Sequence, residues 1–145
     1  MEAILRQAGA IPFQHGADGL RVLLITSRGS GRWVIPKGGI EKGFTPAQAA
    51  EREAYEEAGV IGTISELPLG VFTYDKRLSS GVLRPAAVEV YALRVEQKLK
   101  KWPERKERQL KWMSIADAAR LVKERGMRLL LLRLQEVDTL ASSMS

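Results

Sequence analysis

Residues 38–60 read GGIEKGFTPAQAAEREAYEEAGV, and this stretch contains the strongest helix signal of the chain. Thr45 is a favoured N-cap residue, Pro46 stands where a helix does not need an N–H group, and Gln48 completes a capping box. Gly59 suits the left-handed conformation that ends many helices. The pattern therefore predicts a helix that begins after Thr45, runs through Ala58 and ends at Gly59.

Three acidic residues of this helix share one face. Glu53, Glu56 and Glu57 are three and four positions apart, so their Cβ atoms lie about 5–6 Å from each other. Like charges at this spacing repel each other, and a divalent cation relieves the repulsion. Because carboxylate oxygens suit Mg²⁺, the spacing favours a Mg²⁺ site, with Mn²⁺ as an alternative ion. The competing interpretation is a solvated acidic face without a ligand.

The segment that precedes the helix adds polar groups of a different kind. Pro36 is followed by Lys37, Gly38 and Gly39, and we expect a tight backbone there whose N–H and C=O groups can approach a phosphate or a metal. Lys37 supplies a positive charge at the same place. On the helix itself, Arg52 can pair with a neighbouring carboxylate and hold it in position.

The rest of the chain predicts a mixed α+β domain. Two apolar runs, 2–13 and 20–27, flank turn residues and predict a β-hairpin. Further strands are predicted at 33–35, 70–74, 86–95 and 110–113, and helices after Ser114 and over 128–137. We therefore expect one domain over residues 1–145, with a mixed sheet that has helices on both sides.

Composition limits the classes of function. The 145 residues are 45% hydrophobic, enough for one core, and a net charge of +6 favours anionic partners. The absence of cysteine excludes disulfides, thiolate zinc sites and cysteine nucleophiles. No apolar run reaches the roughly 20 residues that span a bilayer, and the N-terminus has no signal-peptide pattern. We expect a cytoplasmic enzyme that has no membrane partner.

The stretch 38–60 resembles the Nudix box, G-x(5)-E-x(7)-R-E-U-x-E-E-x-G-U, in which U is a bulky apolar residue. Ala54 is a small occupant of the first U position, and Phe44 replaces the first glutamate, for which Glu41 is the candidate substitute. A lead-in W-x-x-P-x-G-G at 33–39 and a late tryptophan, Trp112, extend the resemblance. The residues that match the box at the right spacing are Gly38, Arg52, Glu53, Glu56, Glu57, Gly59 and Val60.

The resemblance implies a Nudix-type α/β/α sandwich and a metal-dependent hydrolysis. The scissile bond is expected in a diphosphate linkage of a nucleoside diphosphate derivative, a dinucleoside polyphosphate or an inositol pyrophosphate. In line with this, residues 102–108 (WPERKER) are similar to the basic loop of diphosphoinositol polyphosphate and diadenosine polyphosphate hydrolases. A phosphate-rich small molecule is thus the expected substrate.

The resemblance also assigns roles to residues. The implied metal ligands are Glu53, Glu56 and Glu57, with the backbone carbonyl of Gly38. The catalytic set adds Arg52 and Glu107, while the general base stays open between Glu107, Glu89 and a glutamate of the box. The expected substrate-binding residues are Lys37, Gly39, Arg32 and Arg28.

Two other functions remain open at this point. A Nudix hydrolase that removes pyrophosphate from the 5′ end of RNA uses the same box and also benefits from basic loops. A non-catalytic Nudix module binds nucleotide or RNA, but such modules usually lack glutamates of the R-E-x-x-E-E segment, which are all present here.

Overall fold

The computed structural model describes residues 3–144, and side chains over 3–141. Within this range the chain forms an eight-stranded sheet and three helices. In chain order the elements are β1 (Leu5–Gly16), β2 (Gly19–Thr26), β3 (Trp33–Val34), β4 (Lys37–Gly39), α1 (Pro46–Ala58), β5 (Val60–Ile64), β6 (Gly70–Arg77), β7 (Leu83–Lys98), β8 (Leu110–Ser114), α2 (Ile115–Leu121) and α3 (Arg125–Met144).

The sheet is mixed and is organised around β1 and β7, its two longest strands. They run parallel, with nine residue pairs from Leu5↔Ala86 to Phe13↔Arg94. The strand order is β3-β2-β1-β7-β5, while β4 pairs with β1, β6 with β7 and β8 with β2, all antiparallel. Apolar side chains from the middle of β1, β2 and β7, such as Ile11, Leu23 and Val90, are fully buried and form the centre of the core.

Helix α1 has the ends that its sequence predicts. Thr45 Oγ1 accepts a hydrogen bond from Gln48 N at 3.1 Å, and Gln48 Oε1 accepts one from Thr45 N at 3.0 Å. Such an N-cap contributes about 1 kcal/mol to helix stability. Gly59 has φ 66° at the other end, so the capping box and the glycine stop are both confirmed. The helix buries Ala49, Ala50, Ala54 and Ala58.

The helices form two layers around the sheet. Helix α1 packs on β1, β4 and β5, whereas α2 packs on β2 and β8, and α3 on β6 and α2. The α+β fold with a mixed sheet between helices is therefore confirmed. None of the helices within residues 3–144 is long and apolar enough to cross a membrane.

Several local predictions need correction. The hairpin of β1 and β2 is present, but the predicted first strand included Glu2, which lies outside the described residues. The segment 37–39, for which the sequence predicts a tight backbone and no strand, is strand β4, because its backbone pairs with residues 7–9 of β1. Strand β5 was not predicted, and the last helix starts at Arg125 rather than at residue 128.

Candidate active site

Strand β4 presents its residues alternately to the two faces of the sheet. Gly38 faces α1, and a Cβ atom at this position would overlap the Glu53 carboxylate. Lys37 faces the opposite side, where its Nζ lies 4.9 Å from the centroid of the Tyr74 ring. A glycine at position 38 therefore lets a carboxylate of α1 lie directly on the backbone of β4.

Glu57 is the most buried carboxylate of the helix, with 7% of its surface exposed. Its Oε1 accepts a hydrogen bond from the backbone N–H of Lys37 at 3.2 Å, and its Oε2 accepts one from Arg108 Nη2 at 3.1 Å. Burial raises the pKa of Glu57 to about 7; Arg108 opposes this rise, and the charge of Glu53 adds to it.

Glu53 lies beside Glu57 and is also partly buried. Burial raises the pKa of Glu53, the charges of Glu56 and Glu104 add to the rise, and a hydrogen bond with Glu57 opposes it. Two neighbouring carboxyl groups with raised pKa values are unstable as a pair of free anions. A divalent cation bound between these two groups would stabilise both as anions.

Glu56 is held by Arg52, as the sequence predicts for an arginine at this spacing. Arg52 Nε donates to Glu56 Oε1 at 2.7 Å, and Arg52 Nη1 donates to Glu41 Oε2 at 3.0 Å. The Arg52 guanidinium also lies 5.1 Å from the centroid of the Phe44 ring. Phe44 thus borders the same small crevice as Arg52 and Glu53, in which Glu41 and Gly39 also lie.

The carboxylates of α1 do not all point at one centre. Among the side chains that the structure describes, no three histidine or acidic groups form a preassembled metal cluster. Glu56 is turned towards Arg52 and Glu57 towards Arg108, so each is held by an arginine. Their roles as metal ligands remain a prediction, for which the oxygen donor set and the contact of Glu53 with β4 are suitable.

The loop 102–108 is docked on the C-terminal end of α1. The Trp102 ring covers Gly59, where a Cβ atom would overlap the ring, and the backbone N–H of Glu104 donates to the Glu56 carbonyl at 3.0 Å. Gly59 is therefore required both by its positive φ and by the lack of space. The loop brings further charged groups to the carboxylate helix.

Two of these groups, Glu104 and Arg108, were not singled out as site residues from the sequence. Arg108 has only 8% of its side chain exposed, and its guanidinium contacts Glu57 at 3.1 Å, Glu104 at 3.0 Å and the Thr26 carbonyl at 3.1 Å. The loop looks like an ordinary mixed-charge run in the sequence. A signal that could have found them is the four-residue spacing of Glu104 and Arg108.

The other candidates for a general base lie in different surroundings. Glu107 has 45% of its side chain exposed and accepts a hydrogen bond from Arg28 Nη1 at 2.8 Å. Glu89 Oε2 accepts one from the Tyr91 hydroxyl at 2.7 Å. Neither residue has a hydrogen bond or an ion pair to Glu53, Glu56 or Glu57 within the described side chains.

A cleft of about 1210 Å³ lies on the face of the sheet opposite α1, between the 27–32 loop, β6 and the start of α3. The predicted substrate residues Arg28, Arg32 and Lys37 line it, whereas Gly39 lies at the crevice near Phe44. Burial lowers the pKa of Lys37, and the charges of Glu57 and Glu124 oppose this. The basic residues of the cleft are Arg28, Arg32, Lys37, Lys76, Arg77, Lys123 and Arg125, and its acidic residues are Asp75 and Glu124.

Comparison with known proteins identifies the fold and the carboxylate helix together. The family model for the NUDIX domain matches residues 5–134, which include every strand and α1. The chain belongs to the Nudix family. The match of the R-E-x-x-E-E segment is therefore part of a family resemblance over nearly the whole domain.

Relatives of this Nudix chain include Nudix hydrolase 12, mitochondrial, of Arabidopsis thaliana, which is 41% identical over 105 residues and aligns with 70% of this chain and 52% of its own. The human diphosphoinositol polyphosphate phosphohydrolase 3-beta is 32% identical over 123 residues, with 83% and 71% covered. The chain thus spans about half the length of the first of these relatives.

Solved structures support the Nudix fold independently. A Caenorhabditis elegans Ap4A hydrolase in a binary complex superposes with a TM-score of 0.70 at 24% identity, covering 94% of this chain and 98% of its own. At this level of identity the likeness concerns the fold, and the chemistry is argued from the residues of the site.

Proposed function

We propose that the Nudix chain is a pyrophosphohydrolase that cleaves a phosphoanhydride bond in a small molecule with several phosphates. The observation that carries the proposal is the position of Lys37. Its side chain lines the basic cleft, while its backbone N–H binds the Glu57 carboxylate of α1. Lys37 is therefore the residue at which the basic cleft borders the acidic helix.

Glu53, Glu56 and Glu57, with the carbonyl of Gly38, would hold Mg²⁺ or Mn²⁺. The ion supplies neutralisation of phosphate charge and polarisation of the scissile bond when it is bound. The paired carboxyls Glu53 and Glu57, whose pKa values are both raised chiefly by burial, fit this requirement. Arg52 and Arg108 fix the orientation of two of the carboxylates.

The attacking water needs a proton acceptor, and we infer that it is a glutamate of the box or Glu104. Glu104 lies close enough to raise the pKa values of Glu53 and Glu57 by its charge, and its backbone is bonded to α1. Glu107 is less suitable, because 45% of its side chain is exposed, against 18% for Glu104, and its carboxylate is turned towards Arg28. Glu89 lies on the central strand β7, where its carboxylate accepts a hydrogen bond from the Tyr91 hydroxyl.

The cleft favours substrates that are recognised by charge. Its basic side chains come from four separate segments and can surround a compound that carries phosphates on several sides. Its aromatic residues are already engaged, since Phe72 is buried and the Tyr74 ring lies under Lys37. An inositol pyrophosphate or a dinucleoside polyphosphate therefore suits the cleft, and the name of the human relative agrees with the first of these.

The RNA alternative depends on the same basic residues and on faces that stack with bases. Trp102 lies against Gly59 and α1, and neither Trp102 nor Trp33 lines the cleft. Neither tryptophan is therefore placed to stack with a base in the cleft. The non-catalytic alternative is disfavoured because the three glutamates of the R-E-x-x-E-E segment are present and lie close to β4 or to arginines.

A phosphate-release screen tests the proposed function. Purified protein is incubated with an inositol pyrophosphate, a dinucleoside polyphosphate, a nucleoside diphosphate sugar and a 5′-triphosphorylated oligonucleotide, each with Mg²⁺, Mn²⁺ or chelator. We expect metal-dependent turnover of one of the first two compounds. Cleavage of the oligonucleotide alone would support the RNA alternative, and binding without turnover would support a non-catalytic module.

A further inference from the structure

Lys37 lies at the end of a column of three side chains that crosses three strands. Its Nζ lies 4.9 Å from the centroid of the Tyr74 ring, and the Tyr74 hydroxyl donates to Gln7 Oε1 at 2.8 Å. Gln7 is on β1, Lys37 on β4 and Tyr74 on β6. All three side chains thus meet on the face of the sheet that carries the cleft.

The Gln7 end of this column is held in place because Gln7 is buried. Only 4% of the Gln7 surface is exposed. A buried amide is costly unless its hydrogen bonds are satisfied, and here the hydroxyl of Tyr74 supplies one. The hydrogen bond ties one end of the Tyr74 ring to the core, so the ring presents a fixed face to Lys37.

The Lys37 end of the column lies between the basic cleft and helix α1. The backbone of Lys37 binds Glu57, and its side chain enters the cleft together with Tyr74. A free lysine side chain has many rotamers, and ordering it on the substrate costs conformational entropy. An aromatic face beneath the ammonium reduces that cost, because it restricts the side chain before the substrate arrives.

We propose that Tyr74 and Gln7 are positioning residues, which hold the Lys37 ammonium at the boundary of the cleft and α1 so that it contacts the phosphate chain of the substrate. This inference rests on the proposed function, because it assumes that phosphates lie in the cleft. The ring of Tyr74 acts directly on Lys37, and Gln7 acts through the ring.

A double-mutant cycle tests the coupling between Tyr74 and Lys37. Variants Tyr74→Leu, Lys37→Met and the double variant are compared with the wild type for kcat/KM on the substrate found in the screen. We expect Tyr74→Leu to lower kcat/KM about three- to thirty-fold, the range of a cation–π contact. In the Lys37→Met background the same change should have almost no further effect, since its target is gone.

Conservative variants separate positioning from a merely structural role. Tyr74→Phe keeps the ring but breaks the same hydrogen bond as Gln7→Met, so the two variants should lower kcat/KM by similar amounts, both smaller than the loss in Tyr74→Leu. Lys98→Met is the matched control for Lys37→Met, since the Lys98 ammonium also lies over an aromatic ring, that of Trp112, at 4.5 Å, and neither residue lines the cleft. Thermal unfolding shows whether each variant is folded.

A second readout uses inorganic tripolyphosphate and does not depend on turnover. Its binding to metal-free protein is measured by calorimetry in chelator for the same cycle, and we expect Tyr74→Leu to weaken binding only while Lys37 is present. Equal losses in both backgrounds, in kcat/KM and in binding, would overturn the positioning proposal and leave the proposed function intact. If the wild type cleaves none of the compounds but Tyr74→Leu still weakens binding only while Lys37 is present, the proposed function is wrong and the positioning proposal stands.

Discussion

The carboxylate helix and the basic cleft are built in opposite ways. Helix α1 carries Glu53, Glu56 and Glu57 within five consecutive residues, and local rules of capping and spacing place them on one face. The cleft takes its charges from the 27–32 loop, β4, β6 and the start of α3. The groups proposed for the chemistry are concentrated in one helix, whereas those proposed for substrate recognition lie on segments that only the folded sheet brings together.

The largest effect is expected from Glu57→Gln. The change removes a charge from the proposed metal site and should lower kcat by about 10²–10³-fold, the magnitude typical of lost electrostatic stabilisation. The measurement is kcat at saturating substrate, with circular dichroism to verify the fold. Glu51→Gln on the same helix is the matched control. Full activity of Glu57→Gln with ordinary metal dependence would refute the assignment of α1 as the catalytic element.

A smaller effect should distinguish the two glutamates of the 102–108 loop. Glu104→Gln removes a carboxylate that contacts Arg108 and influences Glu53, and we expect kcat to fall about 10- to 100-fold. Glu107→Gln breaks an exposed ion pair with Arg28 and should change kcat by less than about threefold. The reverse order, measured at saturating Mg²⁺, would restore Glu107 as the better candidate base.

Charges of the cleft should act on binding rather than on the chemical step. Arg32→Ala and Lys76→Ala are each expected to raise KM about three- to tenfold with little change in kcat, because each removes one contact made equally in ground and transition states. Added salt should reduce the difference from the wild type, since the exposed charges are screened. A fall in kcat at constant KM would show that these cations act on the transition state.

The smallest effect concerns Phe44, which borders the crevice that contains Glu53. Phe44→Glu introduces a carboxylate where the Nudix box has one, and we expect Mg²⁺ or Mn²⁺ to bind about two- to tenfold more tightly by calorimetric titration. Leu67→Glu, which adds the same charge on an exposed loop residue, is the control. An unchanged metal titration would show that position 44 does not face the ions.

The sequence predicts α1 well because each of its signals is local. The capping hydrogen bonds of Thr45, Gln48 and Gly59 are made with residues at most a few positions away, so their pattern determines the ends of the helix. For Gly38-Gly39 the sequence predicts a tight backbone that a metal or phosphate can approach, but it does not predict that the pair belongs to strand β4. Here Gly38 serves the approach of Glu53, which is 15 positions away in the sequence and close only after folding.

Arg108 illustrates what the sequence does not contain. In a mixed-charge run an arginine is expected to be exposed. Arg108 is nevertheless buried, because it pairs with Glu57, which is 51 positions away in the sequence. The choice between Glu104 and Glu107 depends likewise on how the loop docks on α1. Such long-range pairings depend on the sheet, which brings the N-terminal and C-terminal parts of the chain together. No local sequence pattern predicts them.

The parallel pairing of β1 with β7 has a consequence for how the protein forms. Its partners are roughly 80 residues apart in the chain, so the central pairing closes a long loop, and such topologies have high contact order and fold slowly. During synthesis α1 emerges from the ribosome well before β7. Helix α1 packs mainly on β1, β4 and β5, which are synthesised with it, but β1 gains its central partner β7 only when the C-terminal half of the chain has been made.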